Sequence, residues 1–326
     1  MVAGLLFWGI ANNPIQAADL LEPYAIANRN PFVQIYGLPT SRSAELAAAG
    51  TFSTALQLEL SSNFTVSDKE TESIFIDGET HRMNFQLRVG VSDKWELGLD
   101  VPYLSHDGGS LDGFIDSWHD FFGLPDGGRS GYPEDQLRFS YERNGQMMVD
   151  LNQAKDGLGD VSLNAMYQLP STATRHWALR SQLKLPTGDA EDLLGSDSTD
   201  VALALHVSDR SWFEKTGIVL HGSVGLLWMD EAAVLDNIRK DWVVYGSTTL
   251  AWQACERVSL KLQLDAHTAF YDSGLKELGS ASAQLALGGA IKLSESWVVD
   301  LAVTEDIVTE TAPDVVFLIG IKGGNF

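Results

Sequence analysis

From Thr51 onward the chain is a succession of about twelve segments in which every second residue is apolar. In Glu79 to Val91, for example, His81, Met83, Phe85, Leu87, Val89 and Val91 share one face, while Thr80, Arg82, Asn84, Gln86 and Arg88 share the other. A period of two is the side-chain period of a β-strand. Unpaired charge on a dry core face is costly, whereas a wet lumen hydrates it, so an oily face opposite a charged one fits a wall between lipid and water. The strands expected on this basis are Thr51–Val66, Glu79–Val91, Trp95–Val101, Leu158–Leu169, Trp177–Leu185 and Thr199–Val207, followed by Gly217–Leu227, Trp242–Trp252, Val258–Phe270, Ser282–Lys292, Trp297–Val303 and Val315–Gly323.

The gaps between these segments alternate in length. Ser92–Lys94, Pro170–His176, Ser208–Thr216, Gln253–Arg257 and Leu293–Ser296 are short, and the gaps between them are longer. Bacterial outer-membrane barrels have short periplasmic turns and longer outer loops, and an even strand count leaves both ends of the barrel in the periplasm. Trp95, Trp177, Trp212, Trp252 and Trp297 stand beside the short turns, and Trp228 and Trp242 border a long gap, as two interfacial girdles would. The expected fold class is therefore all-β: a transmembrane antiparallel up-and-down barrel of about 12 strands with one long, partly helical outer loop. A soluble β-sandwich or propeller shares the period of two but would bury its apolar face against a partner sheet.

Nothing in the chain approaches the ~20 consecutive apolar residues of a membrane helix. Residues 1–17 resemble a secretory signal: an apolar run from Val2 to Ala11, then Pro14 and Ile15-Gln16-Ala17, although no Lys or Arg precedes the run. Residues 18–50 are too irregular for a strand pair and are expected to plug the lumen or lie beneath it. Residues 51–326 form the barrel, with loop 102–157 inserted. The terminal Phe326 resembles the residue read by the barrel-insertion machinery, but Gly324, Lys322 and Gly320 occupy the preceding positions where apolar residues are usual. A bulge near Gly323 and Gly324 would restore the phase.

The net charge of −22 falls almost wholly in the gaps assigned as outer loops: 67–78, 102–157, 186–200, 228–241, 271–281 and 304–314. Such a surface repels nucleic acid and attracts cations, including those that bridge lipopolysaccharide phosphates. Cys255 is the sole cysteine, which excludes an intramolecular disulfide.

Loop 102–157 is far longer than a hairpin needs. Within it Leu111, Phe114, Ile115, Trp118, Phe121 and Phe122 recur at helical spacing after a plausible N-cap, Ser110, with Asp112, Asp116, His119 and Asp120 between them. This apolar face would bury against the inner wall as a constriction, close over the mouth as a lid, or form a small subdomain without contact to solute. No Gly-x-Ser-x-Gly elbow, His-Glu-x-x-His helix or phosphate loop occurs, and no calcium-loop spacing or third ligand beside His206 and His221 defines a metal site. No cofactor is expected. The candidate binding residues are Arg82, Arg88, Glu96, Asp100, Arg180 and Lys184 on inward strand positions, with Asp112, Trp118, His119 and Arg129 of the loop. Lys261, Asp265 and Lys292 also point inward.

Trp95-Glu96-Leu97-Gly98-Leu99 through Pro102-Tyr103-Leu104-Ser105, Leu111-Asp112-Gly113-Phe114-Ile115, and Trp118-His119-Asp120-Phe121-Phe122-Gly123-Leu124-Pro125 with Gly128-Arg129 carry a family likeness. Gly157-Leu158-Gly159-Asp160-Val161 and Lys184-Leu185-Pro186-Thr187-Gly188-Asp189 with Leu193-Leu194-Gly195-Ser196 share it. The chain resembles the family of unknown function DUF3187, which implies an outer-membrane-type barrel and assigns no catalytic or ligand residue. The function expected first is a non-enzymatic channel for a small solute, gated by loop 102–157. The alternatives are a plugged structural or surface barrel that binds cations or lipopolysaccharide, and a lipid-modifying enzyme.

Overall fold

The computed structural model of the chain describes residues 20–109, 113, 131–133, 135–308 and 311–325. In chain order its strands are β1 (Phe52–Lys69), β2 (Glu72–Ser92), β3 (Trp95–Asp107), β4 (Arg138–Arg143), β5 (Gln146–Leu151), β6 (Lys155–Leu158), β7 (Ser162–Gln168) and β8 (Arg175–Lys184). They continue with β9 (Asp200–Asp209), β10 (Ile218–Met229), β11 (Trp242–Cys255), β12 (Val258–His267), β13 (Ser282–Ser294), β14 (Trp297–Asp306) and β15 (Val315–Asn325). All fifteen belong to one sheet. Setting aside β4, β5 and β6, the remaining twelve close into an antiparallel barrel, sealed where β1 pairs with β15 from Phe52↔Asn325 to Ser62↔Val315. Each of the twelve segments expected from the sequence contributes one wall strand.

The side-chain phase follows the alternation. In β9, Val201, Leu203 and Leu205 are exposed on the outer face, whereas Ala202, Ala204, His206 and Ser208 are buried inside. The same inversion holds elsewhere: Val224, Leu262 and Leu287 stand outward at 57%, 43% and 63% exposure. A soluble sandwich would bury these residues, so their exposure around the barrel marks a lipid-facing band. Trp95, Trp212, Trp252 and Trp297 lie exposed at one rim and Trp242 at the other.

One expected outer loop is not a loop. Ser67–Gly78 continues β1 and β2 as a hairpin whose pairing runs to Lys69↔Glu72. The charges of Asp68, Glu70 and Glu72 obscured the period of two at Ile74 and Ile76, which are buried on the inner face. These strands of 18 and 21 residues far exceed the ~9–11 residues that cross a bilayer. The excess pairs with the β4–β5 hairpin through Glu72↔Arg143 to Asp77↔Arg138. The helix expected at 111–123 and the signal at 1–17 lie outside the described residues, apart from Gly113. At the C-terminus Gly323 and Gly324 pair in simple register with Thr54 and Ser53, without the anticipated bulge; Phe326 is outside the described residues.

Above the membrane band an apolar core closes the mouth. Ile74, Ile76, Phe139 and Tyr141 from the strand extension meet Val234, Leu235 and Ile238 from the β10–β11 connection and Phe270, Tyr271 and Leu275 from the β12–β13 connection. Phe32, Val33, Ile35 and Tyr36, which come from inside the barrel, complete it.

Candidate functional site

Residues 20–48 run through the lumen as a U. An ascending arm, 20–29, leads to an apex at 30–36, and a descending arm, 37–48, returns to the start of β1. The apex is a tight turn in which Val33 and Gln34 donate their backbone N–H to the carbonyl of Asn30, both at 2.9 Å, and the Asn30 side chain accepts from the Phe32 N–H at 3.0 Å. The arms form no strand of their own. A buried backbone must still find partners, and here the barrel wall supplies them from its side chains.

On the ascending arm, Gln263 accepts from the Tyr24 N–H at 2.8 Å and donates to its carbonyl at 3.1 Å. His221 bonds the Leu21 carbonyl at 2.9 Å, and Arg88 pairs with Glu22 at 2.8 Å. At the apex the Tyr36 hydroxyl donates to the Val234 carbonyl at 3.0 Å and the Tyr271 hydroxyl to the Phe32 carbonyl at 2.6 Å. On the descending arm Asp200 accepts from the Gly37 N–H at 2.7 Å, and Arg180 donates to the Thr40 carbonyl at 2.6 Å. Ser41 meets Ser247 at 2.8 Å, and His206 bonds the Arg42 carbonyl at 3.2 Å. A Cβ at Gly37 would stand 3.1 Å from the Cβ atoms of both Asp200 and Lys184, so glycine permits this close approach.

All six wall candidates enclose this segment. Arg88, Arg180 and Lys184 bond it directly, Lys184 through the Ile35 carbonyl at 3.1 Å. Glu96 accepts from the Ala47 N–H at 2.8 Å and pairs with Arg42 at 3.3 Å. Arg82 acts through Glu59, which it meets at 3.2 Å while Arg29 of the ascending arm holds the same carboxylate at 2.8 Å. Asp100 accepts from Asn164, whose other amide atom accepts from Arg180. Asp112, Trp118, His119 and Arg129 lie outside the described residues. The described flanks of loop 102–157 pack at the mouth, where His106 bonds Thr80 at 2.8 Å and the Leu193 carbonyl at 3.2 Å.

Several groups that hold the segment were not among the candidate binding residues. Asp160 takes the Lys184 ammonium at 2.7 Å and the backbone N–H groups of Thr187, Gly188 and Ser196 at 3.0, 2.8 and 3.1 Å. Asp300 joins Lys261 at 2.7 Å to Lys322 at 3.0 Å, and Lys261 stands 4.8 Å from the centre of the Tyr24 ring. A sequence signal for the plug did exist. Val219, Ala251, Ala290 and Val298 occupy inward positions, which a wet lumen leaves unexplained, and in the structure they pack on Leu20 and Leu21. His206 and His221 are likewise engaged with this segment rather than with each other.

These features define a twelve-stranded barrel of the outer-membrane type, filled by its own N-terminal segment. The chain belongs to the family described as a protein of unknown function (DUF3187), which it matches over residues 7–324. No curated protein sequence matches it. Among solved structures, an outer membrane channel from Pseudomonas putida F1 superposes with a TM-score of 0.56 at 12% identity, over 86% of this chain and 97% of that one. The NanC porin gives a TM-score of 0.47 at 7% identity, covering 83% of this chain and 98% of the porin. The CymD monoaromatic hydrocarbon channel gives 0.42 at 10%, covering 84% and 88%. At 12% identity the likeness to the Pseudomonas putida F1 channel is one of fold.

Proposed function

We propose that this protein is an outer-membrane channel for a small solute, that residues 20–46 hold it closed in the described state, and that it performs no covalent chemistry. The observation that carries this reading is the way the plug is held. Both arms leave on the side of the short turns, and side chains rather than strand ladders fix them, so the plug can withdraw toward the periplasm without unpairing the wall. What would remain is a bore with Arg82, Arg88, Arg180 and Lys184 facing Glu59, Glu96, Asp100 and Asp160, a polar lining whose charges set selectivity. In this reading 20–46 is the gate; the helical part of loop 102–157, expected from the sequence to serve, lies outside the described residues apart from Gly113. Deleting 20–46 should give steady conductance in planar bilayers where the full chain gives rare, brief openings, with folding checked by heat-modifiable electrophoretic mobility. A folded deletion variant without current rejects the channel.

A second reading, a sealed barrel that engages cations or lipopolysaccharide, is favoured by one specific feature. Where β3 ends beside β2, ligand atoms of Glu79, His81 and Asp107 lie within 4.8 Å of one another, with Glu79 buried and His81 exposed. A divalent cation there would face the phosphates of the outer leaflet.

A further inference from the structure

Between the plug apex and the wall of β2, β3, β7 and β8 lies a cavity of about 60 Å³, lined in part by Arg29, Gln34, Arg82, Asn84, Asp100 and Lys184. One water needs ~10–15 Å³ of such space, so the cavity holds several waters or one small molecule. Its walls make specific demands. The Arg29 Nε, both amide atoms of Gln34, the Asn84 Oδ1 and the Asp100 Oδ1 have no hydrogen-bond partner among the described residues. Asn84 and Arg29 are only 2% and 5% exposed, and buried polar atoms without partners are rare in folded proteins.

The demand is for hydrogen bonds and not for charge. Arg29 and Arg82 share Glu59 at 2.8 and 3.2 Å, and Lys184 holds Asp160 at 2.7 Å and Asp200 at 3.1 Å. What remains is two acceptors, one donor and an amide that does both. Arg29, Arg82 and Glu59 together carry one excess positive charge and Lys184, Asp160 and Asp200 one excess negative charge, so the two cancel across the cavity. A hydroxyl group donates and accepts at once, whereas an added ion would upset that cancellation. We infer that this cavity is a binding site for a small uncharged polyol, whose hydroxyls donate to Asn84 and Asp100 and accept from Arg29 and Gln34.

The site also marks a route. A second cavity of about 30 Å³, beside Glu22, Arg88 and Lys322, shares Gln86 with the first. Arg82, Asn84, Gln86 and Arg88 are successive inward positions of β2, so together they form a polar track beside the plug with Gln86 at its neck. Passage along this track rests on the channel reading; binding does not.

The test uses the full chain in lauryldimethylamine oxide micelles, with glycerol and erythritol as polyol probes and acetate and glycine as charged ones, read by saturation-transfer NMR. One or both polyols should bind at least tenfold more tightly than either charged probe. Asn84→Leu and Gln34→Leu should each weaken polyol binding by about tenfold, as expected when buried polar atoms lose a partner. Equal responses to all four probes, or polyol binding unchanged in folded Gln34→Leu, overturn the site. Gln34 lies on the plug, so that variant decides the matter if Asn84→Leu disturbs the wall. Lost binding with conductance retained in the plug-deleted barrel rejects the polyol site alone; retained binding without that conductance rejects the channel alone.

Discussion

Asp160 explains why two separated stretches of the sequence belong together. Its carboxylate ties the backbone of Thr187, Gly188 and Ser196 to the Lys184 ammonium, and Lys184 in turn holds the plug at Ile35. The Gly157–Val161 and Lys184–Ser196 motifs therefore meet at one buried ion pair that sets both an outer loop and the plug apex. Asp160→Ala leaves Lys184 paired with Asp200 at 3.1 Å but strips the Thr187, Gly188 and Ser196 N–H groups of their shared acceptor, at a cost of ~1–3 kcal/mol. Asp160→Ala should lower the urea midpoint accordingly and open residues 186–199 to protease, whereas Glu191→Ala, on an exposed side chain, should stay within ~0.5 kcal/mol. Digestion of that loop unchanged in Asp160→Ala would show that the carboxylate does not organise it. At this scale the sequence was partly legible. Arg82, Arg88, Glu96, Asp100, Arg180 and Lys184 sit in unbroken alternation and could be read as inward. Asp160 and Asp200 lie near the starts of the expected strands Leu158–Leu169 and Thr199–Val207, where few residues precede them to set a phase, and their roles depend on partners brought together only by barrel closure.

The plug is the element the sequence could not resolve. A strand or helix announces itself by a period because its neighbours repeat, but the partners of residues 20–46 are single side chains far along the chain, such as Gln263 for Tyr24 and Arg180 for Thr40. No period results. The hairpin extension of β1 and β2 was missed for a different reason, since charged residues at its tip resemble a loop while Ile74 and Ile76 keep the strand phase. If the plug gates the lumen by moving, fastening it must hold the channel shut. Ser41 and Ser247 face each other with hydroxyl oxygens 2.8 Å apart, close enough for a cysteine pair to bridge with little backbone movement. In a Cys255→Ser background, Ser41→Cys with Ser247→Cys should show no openings when oxidised and recover the openings of the full chain on reduction. Equal current in both states would mean that solute passes without movement of the descending arm.

For the whole molecule, two solvents wrote the pattern. Lipid outside and a polar lumen inside impose opposite demands on alternate residues of each wall strand, so the barrel and its twelve strands were legible, while the occupied interior was betrayed only by apolar residues at inward positions. The charge distribution completes the picture, because acidic loops at one end keep that surface hydrated and leave the band between the tryptophan rims free for lipid. This band makes a graded prediction. Leu262 stands outward near the middle of β12, and Leu293 stands outward beside the short turn joining β13 to β14, at 43% and 56% exposure. Arginine at the bilayer midplane costs ~2–4 kcal/mol, and near an interface ~0–1 kcal/mol, because there the guanidinium reaches water. Leu262→Arg should therefore destabilise the barrel far more than Leu293→Arg in urea unfolding from phosphatidylcholine vesicles. Similar losses at the two positions would mean that the membrane does not sit across this band, and with it the assignment of inside and outside would fall.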